Sequence, residues 1–217
     1  MARMQQIDAA AIDTCGIPRL LLMEHAGLAV ARAVSSLSAG SEPPPLVCCG
    51  SGYNGGDGLC AARHLHALGY APRVVLTGRV AQLREEPLIY ARIVQRLGIP
   101  LMELTGLEDL GSAERWVESC ALIIDALLGI GVRGAVREPI ASLIDCINHS
   151  GKPIVAADIP SGLDGDTGLP QGRAVRATVT VAFGLPKQGC FTGQGPAHVG
   201  TLVVDAITMP RTLLESS

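Results

Sequence analysis

The sequence predicts an α/β fold in which two helices precede a mainly parallel sheet, in a single domain spanning residues 1–217. Three observations support this prediction. Short apolar runs alternate with longer stretches of helical spacing between residues 45 and 157, as is typical of parallel strands joined by helices. The chain has 217 residues, of which 48% are hydrophobic, and this is enough for one large core. After residue 158, β-rich segments alternate with Gly/Pro loops.

The N-terminal region is predicted to form two helices. Apolar residues recur at helical spacing from residue 4 to residue 37, and Gly16, Ile17 and Pro18 interrupt the pattern. In the alternating region, strands are predicted over 45–49, 73–77, 100–103, 121–125 and 153–157, with helices over 57–68, 84–97, 112–119 and 136–148. The segments 177–183 and 201–204 are expected to complete the sheet at one edge.

The composition argues against several classes of partner. With a net charge of −3 and 3% aromatic residues, the chain has neither the basic field nor the rings that favour nucleic-acid binding. No signal peptide is recognisable, and charged residues interrupt the apolar segments before the roughly 20 residues of a membrane span, so no membrane association is expected. Seven cysteines without a C-x-x-C pair indicate reduced thiols and a cytoplasmic location.

The segment GSGYNGGDG, residues 50–58, directly follows the first predicted strand. Its five glycines predict a loop with positive φ angles, and the N-terminus of the next helix favours an anion such as phosphate. The G-x-G-x-x-G pattern is present, but residues 75–79 lack the acid that binds the ribose of NAD, which disfavours hydride transfer. No Lys-Ser/Thr pair follows the glycines, which excludes a Walker-type loop; a glycine turn without a ligand stays open.

Polar residues follow three of the predicted parallel strands. Ligands bind open α/β sheets outside the carboxyl ends of the strands, so these residues are expected to meet in one cleft. They are Asn54, Asp57, Asp125, Asp158 and Ser161.

Asp125 follows the apolar run 121–124, where a buried carboxylate needs a partner or a cation. Asn54 and Ser161 add neutral oxygens, and this set suits a monovalent cation better than zinc. Capping a helix or accepting loop N–H bonds is the alternative role of Asp125.

Asp158 ends another predicted strand, and Pro160 and Gly162 define the turn after it. This position points the carboxylate at the cleft and makes Asp158 the candidate acid/base residue. Holding a ligand hydroxyl is its alternative role. Lys187 is expected either to contact phosphates or to be an ordinary surface lysine.

Three blocks of the sequence, GSGYNGGDG (50–58), DALLGIG (125–131) and DIPSGLD (158–164), resemble the signature blocks of the NAD(P)H-hydrate epimerases, the YjeF N-terminal-domain proteins. The segments 18–27 and 181–189 extend the resemblance over nearly the whole chain. It implies a three-layer αβα Rossmann-like sandwich and interconversion of the R and S hydrates of NADH and NADPH, which is metabolite repair.

The resemblance also implies roles for particular residues. Asp158 would contact the hydrated dinucleotide, and Asn54, Asp125 and Ser161 would bind one potassium ion per chain. The remaining dinucleotide-binding residues would be Tyr53, Asn54, Gly55, Gly56, Asp57, Gly129, Ile130, Gly131, Val132, Arg133, Gly134 and Ala135. Tyr53 and His25 stand where the family usually has asparagine.

Partners are implied in the same way. The resemblance implies a homodimer that works with an ADP- or ATP-dependent NAD(P)H-hydrate dehydratase, either a separate chain or a further domain. The alternative function is a non-catalytic module of the same fold that binds a nucleotide ligand or a protein.

Overall fold

A computed structural model of the protein describes residues 2–37, 43–131 and 134–215, with the side chain of Ala2 excepted. In this part of the chain, seven strands form one sheet in the order β3-β2-β1-β4-β5-β6-β7, and all neighbouring strands are parallel. The strands are β1 (Leu46–Cys49), β2 (Arg73–Thr77), β3 (Leu101–Leu104), β4 (Ile123–Ala126), β5 (Ile154–Ala157), β6 (Val179–Phe183) and β7 (Thr201–Asp205).

Helices cover both faces of this sheet. They are α1 (Ala2–Ala9), α2 (Arg19–Leu37), α3 (Tyr53–Ala67), α4 (Glu85–Arg96), α5 (Leu110–Glu118), α6 (Ile140–His149), α7 (Gly195–Val199) and α8 (Arg211–Glu215). A π-helical turn, Ala10–Thr14, continues α1, and short 3-10 turns occupy Val80–Gln82, Leu107–Asp109 and Gln188–Cys190.

Side chains that alternate along the strands pack into two hydrophobic cores, one on each face of the sheet. Val47 and Cys49 face the core that includes α1 to α4, whereas Leu46 and Cys48 face the core that includes α5 and α6. Because successive side chains of a strand point to opposite faces, β1, β2, β4 and β5 each contribute to both cores. The predicted three-layer α/β fold, with two helical segments before the sheet and two strands added at its edge, is confirmed.

Helix α2 is an exception to the expectation that no apolar segment reaches the length of a membrane span. Its 19 residues are long and apolar enough, by length and composition, to cross a membrane. Val30, Ala31 and Val34 are fully buried in the core, so the apolar character of α2 is explained by packing beneath the sheet.

The strand order reverses direction between β1 and β4. From β1 the chain moves outward to β2 and β3, and then returns to β4 on the other side of β1. Such a reversal leaves a crevice outside the carboxyl ends of the two central strands, because the connections leave in opposite directions. The glycine-rich segment after β1 and the segment after β4 both begin at this crevice.

The glycine-rich segment is mostly helix, which corrects two predictions. Helix α3 begins at Tyr53 instead of residue 57, after Gly52 in an extended conformation, and the N–H of Gly56 donates to the carbonyl of Gly52 at 3.1 Å. None of the five glycines in the segment 50–58 has a positive φ angle. Close packing accounts for four of them, whereas Gly52 has open space around it. For example, a Cβ atom on Gly55 would lie 1.8 Å from the carbonyl oxygen of Gly50.

Two other predicted boundaries shift. Strand β4 runs over Ile123–Ala126, so Asp125 lies inside the strand and pairs in register with Cys48 and Ala156. Helix α6 begins at Ile140 instead of residue 136.

Candidate functional site at the reversal of strand order

A cavity of about 720 Å³ opens at the crevice between β1 and β4. It is bounded by the N-terminal helices, the start of α3, the segment after β4 and the segments that follow β5 and β6. The polar side chains that line the cavity include those of Asp8, Arg19, Asn54, Asp57, Asp158 and Lys187.

The cavity contains only part of the dinucleotide-binding set that the sequence predicts. The lining residues from that set are Tyr53, Asn54, Asp57, Gly129, Ile130, Gly131 and Asp158. Gly55 and Gly56 are buried in the helix packing, and neither they nor Gly134 and Ala135 line the cavity. Val132 and Arg133 lie outside the described residues.

Asp125 and Ser161 lie beneath the cavity and are fully buried. The Asp125 carboxylate accepts hydrogen bonds from the Ser161 N–H at 2.8 Å and from the Ser161 hydroxyl at 2.5 Å. The Leu127 N–H adds a longer contact of 3.3 Å. Burial raises the pKa of Asp125 to about 6, and the hydrogen bonds from Ser161 act in the opposite direction.

Asn54 is joined to the same group through Leu128. Its amide nitrogen donates to the Leu128 carbonyl at 3.1 Å, and the Leu128 N–H donates to the Ser161 hydroxyl oxygen at 2.8 Å. The amide oxygen of Asn54 is buried and accepts no hydrogen bond from a described residue. Buried polar atoms are nearly always paired, so this oxygen is available to a ligand.

Asp158 has a strained backbone and a charged partner. Its φ is +68°, a conformation that a residue with a Cβ atom rarely adopts and that occurs often at functional sites. The carboxylate accepts a hydrogen bond from the Phe183 N–H at 3.1 Å and forms an ion pair with the Lys187 ammonium.

Lys187 lines the cavity and is buried, so it is not the ordinary surface lysine that was one of its two expected roles. Its side chain is 2% exposed, and its ammonium donates to the Phe183 carbonyl at 3.1 Å as well as to Asp158. Burying an ammonium is unfavourable unless it is paired, so the Asp158 carboxylate and the carbonyl together account for this location. Lys187 therefore lines the cavity as one member of an ion pair with Asp158.

Asp8 was missed by sequence reasoning, because nothing in the sequence distinguishes it from an ordinary polar residue of a short helix. Burial raises the pKa of Asp8 to about 6, and the charge of Asp158 acts in the same direction. The pKa of Asp57 is also raised well above its ordinary value, mainly by burial and further by Asp158 and Asp8. Neither Asp8 nor Asp57 has a hydrogen bond from its carboxyl group to another side chain in the described ranges.

Tyr53 lies at the rim of the cavity in a small polar cluster. The Arg19 guanidinium donates to the Tyr53 hydroxyl at 2.6 Å and lies 4.4 Å from the centre of its ring. The hydroxyl donates in turn to Glu85, whose carboxylate is 3.9 Å from Arg19. The Tyr53 hydroxyl is thus engaged at the rim with Arg19 and Glu85.

A second cluster of possible metal ligands lies outside the cavity. One ligand atom each from Glu24, Cys60 and His64 lies within 4.8 Å of the others. Arg63 forms an ion pair with Glu24 and lies 2.8 Å from the His64 ring nitrogen, while the Tyr90 hydroxyl donates to Glu24 at 2.7 Å. The positive charge that the cluster accommodates is therefore the guanidinium of Arg63, and the network joins α2, α3 and α4.

The chain is similar to a known protein family, to named enzymes and to a solved structure. A family model described as "YjeF-related protein N-terminus" matches residues 19–189. The bifunctional NAD(P)H-hydrate repair enzyme Nnr of Pyrobaculum aerophilum is 43% identical over 203 residues, which cover 90% of this chain and 38% of that protein. The NAD(P)H-hydrate epimerase of Limosilactobacillus fermentum is 37% identical over 203 residues, which cover 94% of this chain and 93% of that protein.

The chain thus spans about two-fifths of the length of the bifunctional relatives it matches (38–41%) and nearly all of the shorter relative. Among solved structures, a yeast protein (ynu0, YNL200c) superposes with a TM-score of 0.82 and 28% identity, covering 96% of this chain and 88% of that one.

Proposed function

The chain belongs to the family of YjeF-related N-terminal domains, and on that premise we propose that it interconverts the R and S hydrates of NADH and NADPH. Relatives named NAD(P)H-hydrate epimerase support this proposal, being 37–38% identical over 91–93% of their own length. The structural observation that carries it is the Asp158–Lys187 ion pair, which presents a carboxylate to a cavity at the reversal of strand order.

The cavity has the size and chemistry that a dinucleotide requires. Its volume of about 720 Å³ lies within the range usual for cofactor sites, ~300–1,000 Å³. Gly52, Tyr53 and Asn54 line it at the start of α3, where the first N–H groups of the helix have no partner within the helix. An N-terminus of this kind favours the pyrophosphate of the hydrate.

The reaction inverts the configuration at one carbon atom of the substrate and needs proton transfer at the groups bonded to this carbon. This carbon bears a hydroxyl group beside the ring nitrogen, and breaking either its C–O or its C–N bond removes the stereocentre. Re-formation of the bond on the opposite face gives the other epimer. We assign Asp158 as the acid/base residue, which takes up the hydroxyl proton as the C–N bond breaks and returns it when that bond re-forms.

The residues beneath the cavity fit a potassium ion, which we propose as the cofactor held by Asn54, Asp125 and Ser161. Support comes from the unpaired buried oxygen of Asn54 and from a donor set made only of oxygens with a single carboxylate. When bound, the ion would supply a fixed positive charge next to the site of the anionic dinucleotide.

We expect potassium to stabilise the folded protein. A ligand that binds only the folded state raises stability by mass action, so the thermal midpoint should be higher in potassium chloride than in tetramethylammonium chloride of equal ionic strength. The variant Asn54→Ala removes the unpaired oxygen and should lose this difference. Equal midpoints for the unaltered protein in the two salts would contradict a potassium site.

The proposed activity is tested with purified hydrates. The R-to-S conversion of NADPH hydrate is followed by chromatography, with and without the protein, in potassium and in tetramethylammonium salts. We expect acceleration over the spontaneous rate, and a higher rate in potassium. Binding of the hydrate without any change in its R/S ratio would reject the epimerase and favour a non-catalytic nucleotide-binding module.

The cellular setting is part of the proposal. We propose a reducing, cytoplasmic location, in keeping with seven free cysteines of which five are buried. We also propose a homodimer that acts together with an NAD(P)H-hydrate dehydratase. The bifunctional repair enzymes among its relatives support a partner of this kind.

A further inference from the structure

Four aspartates, Asp8, Asp13, Asp57 and Asp158, line the cavity together with one buried ammonium, that of Lys187. Lys187 is paired with Asp158. Arg19, the other cation among the described residues that line the cavity, is engaged at the rim with Tyr53 and Glu85. Asp13 is exposed to solvent, whereas Asp8 and Asp57 are partly buried and have no cation of their own among the described residues of the cavity.

Carboxyl groups in this situation retain a proton. Two carboxylates that share a poorly solvated site cannot both ionise readily, and they titrate as a coupled group. The charges of Asp8 and Asp158 both act on Asp57, and the charge of Asp158 acts on Asp8. Lys187 and Arg19 partly offset the effect on Asp8, and Lys187 that on Asp57.

We infer that Asp8 and Asp57 hold one proton between them and that this pair is the catalytic acid that works opposite the Asp158 carboxylate. The inference rests on the proposed epimerase function. It assigns a catalytic role to α1, which precedes the segment matched by the family model.

The pair completes a balanced reaction through ring opening. Asp158 takes the proton of the substrate hydroxyl, the carbon–oxygen bond becomes a carbonyl, and the bond from this carbon to the ring nitrogen breaks. The nitrogen takes its proton from the Asp8/Asp57 pair. After rotation the nitrogen attacks the other face of the carbonyl and returns its proton to the pair, while Asp158 returns its proton to the oxygen. Both acids regain their starting states, and no oxidant or reductant is needed.

The test compares Asp8→Asn with Asp145→Asn, a matched change at a position outside the cavity, where Asp145 forms an ion pair with Arg173. For Asp8→Asn we expect kcat to fall about 10²-fold, in line with the usual contribution of a general acid. The KM for the hydrate should stay within about threefold, because the lost interaction belongs to the reaction step. Asp145→Asn should retain the kcat of the unaltered protein, and Asp8→Glu should recover part of the loss.

The pH profile separates a catalytic role from a structural one. Activity at high pH requires the protonated pair, and the negative charge of Asp8 raises the pKa of Asp57. Without that charge Asp57 loses its proton more easily, so the alkaline limb of kcat in Asp8→Asn should move to lower pH. Asp145→Asn should leave the alkaline limb in place.

Thermal stability provides a readout that needs no substrate. The pKa of Asp8 is raised in the folded state, so its ionisation costs stability as the pH rises from about 4 through about 6. The thermal midpoint of Asp8→Asn should therefore exceed that of the unaltered protein at pH 7.5 and not at pH 4. An unchanged kcat, a change in KM alone, or equal midpoints at both pH values would overturn the inference. Failure of the unaltered protein to epimerise would instead overturn the proposed function.

Discussion

Replacing Asp158 by asparagine is expected to lower the rate of hydrate epimerisation by about 10²–10⁴-fold, the usual contribution of a positioned acid/base residue. Asparagine has nearly the same shape as aspartate but cannot take up the hydroxyl proton. Lys187 and the Phe183 N–H hold the Asp158 carboxylate at the cavity, so the loss should appear mainly in kcat. Chromatography of the R and S hydrates under saturating substrate measures this effect.

Asp145→Asn is the matched control for this prediction. Asp145 forms an ion pair with Arg173 at 2.8 Å in which both side chains are largely exposed, and it does not line the cavity. Its replacement should leave the epimerisation rate unchanged. If Asp158→Asn retained a rate similar to that of Asp145→Asn, Asp158 would not be the acid/base residue.

Replacing Lys187 by methionine is expected to lower the free energy of unfolding by about 3–5 kcal/mol, the usual loss when one partner of a buried ion pair is removed. The side chains of Lys187 and Asp158 are only 2% and 13% exposed, so water cannot replace the missing ammonium well. Since domains are typically stable by only ~5–15 kcal/mol, the loss should be clear in a urea titration.

The chain contains one other lysine, Lys152, which supplies the control. Lys152 is partly exposed, and Lys152→Met should change the free energy of unfolding by less than about 0.5 kcal/mol. The double variant Asp158→Asn/Lys187→Met removes both charges and should recover part of the stability lost in Lys187→Met. Equal stabilities of Lys187→Met and Lys152→Met would show that the ion pair has no stabilising role.

Much of the sheet was predictable because its signals are local. Strands β1, β2 and β5 lie within one residue of their predicted boundaries, since each is a short apolar run that ends in polar or turn residues. Their common direction follows from the helices between them, and this brings the ends of β1, β4 and β5 to one edge. The meeting of Asn54, Asp125 and Ser161 was expected on these grounds alone.

The start of α3 shows where local signals fail. Glycine is a poor helix former and usually indicates a turn, so the sequence predicted a loop up to residue 56. In the structure, Gly50 and Gly55 approach each other too closely for any side chain, and the helix forms four residues earlier than predicted. The neighbours that require glycine become visible only after β1 and α3 have packed.

The sequence by itself determined the α/β class, the buried strands and the family to which the chain belongs, because apolar periodicity and motif spacing are properties of neighbouring residues. Only the tertiary structure decided that Lys187 is buried against Asp158 and that Asp8 reaches the same cavity. These residues are 29 and 150 positions from Asp158 along the chain, counting from 187 and 8. Charge pairing and proton sharing depend on distance in space and on burial, which arise when separate elements pack together.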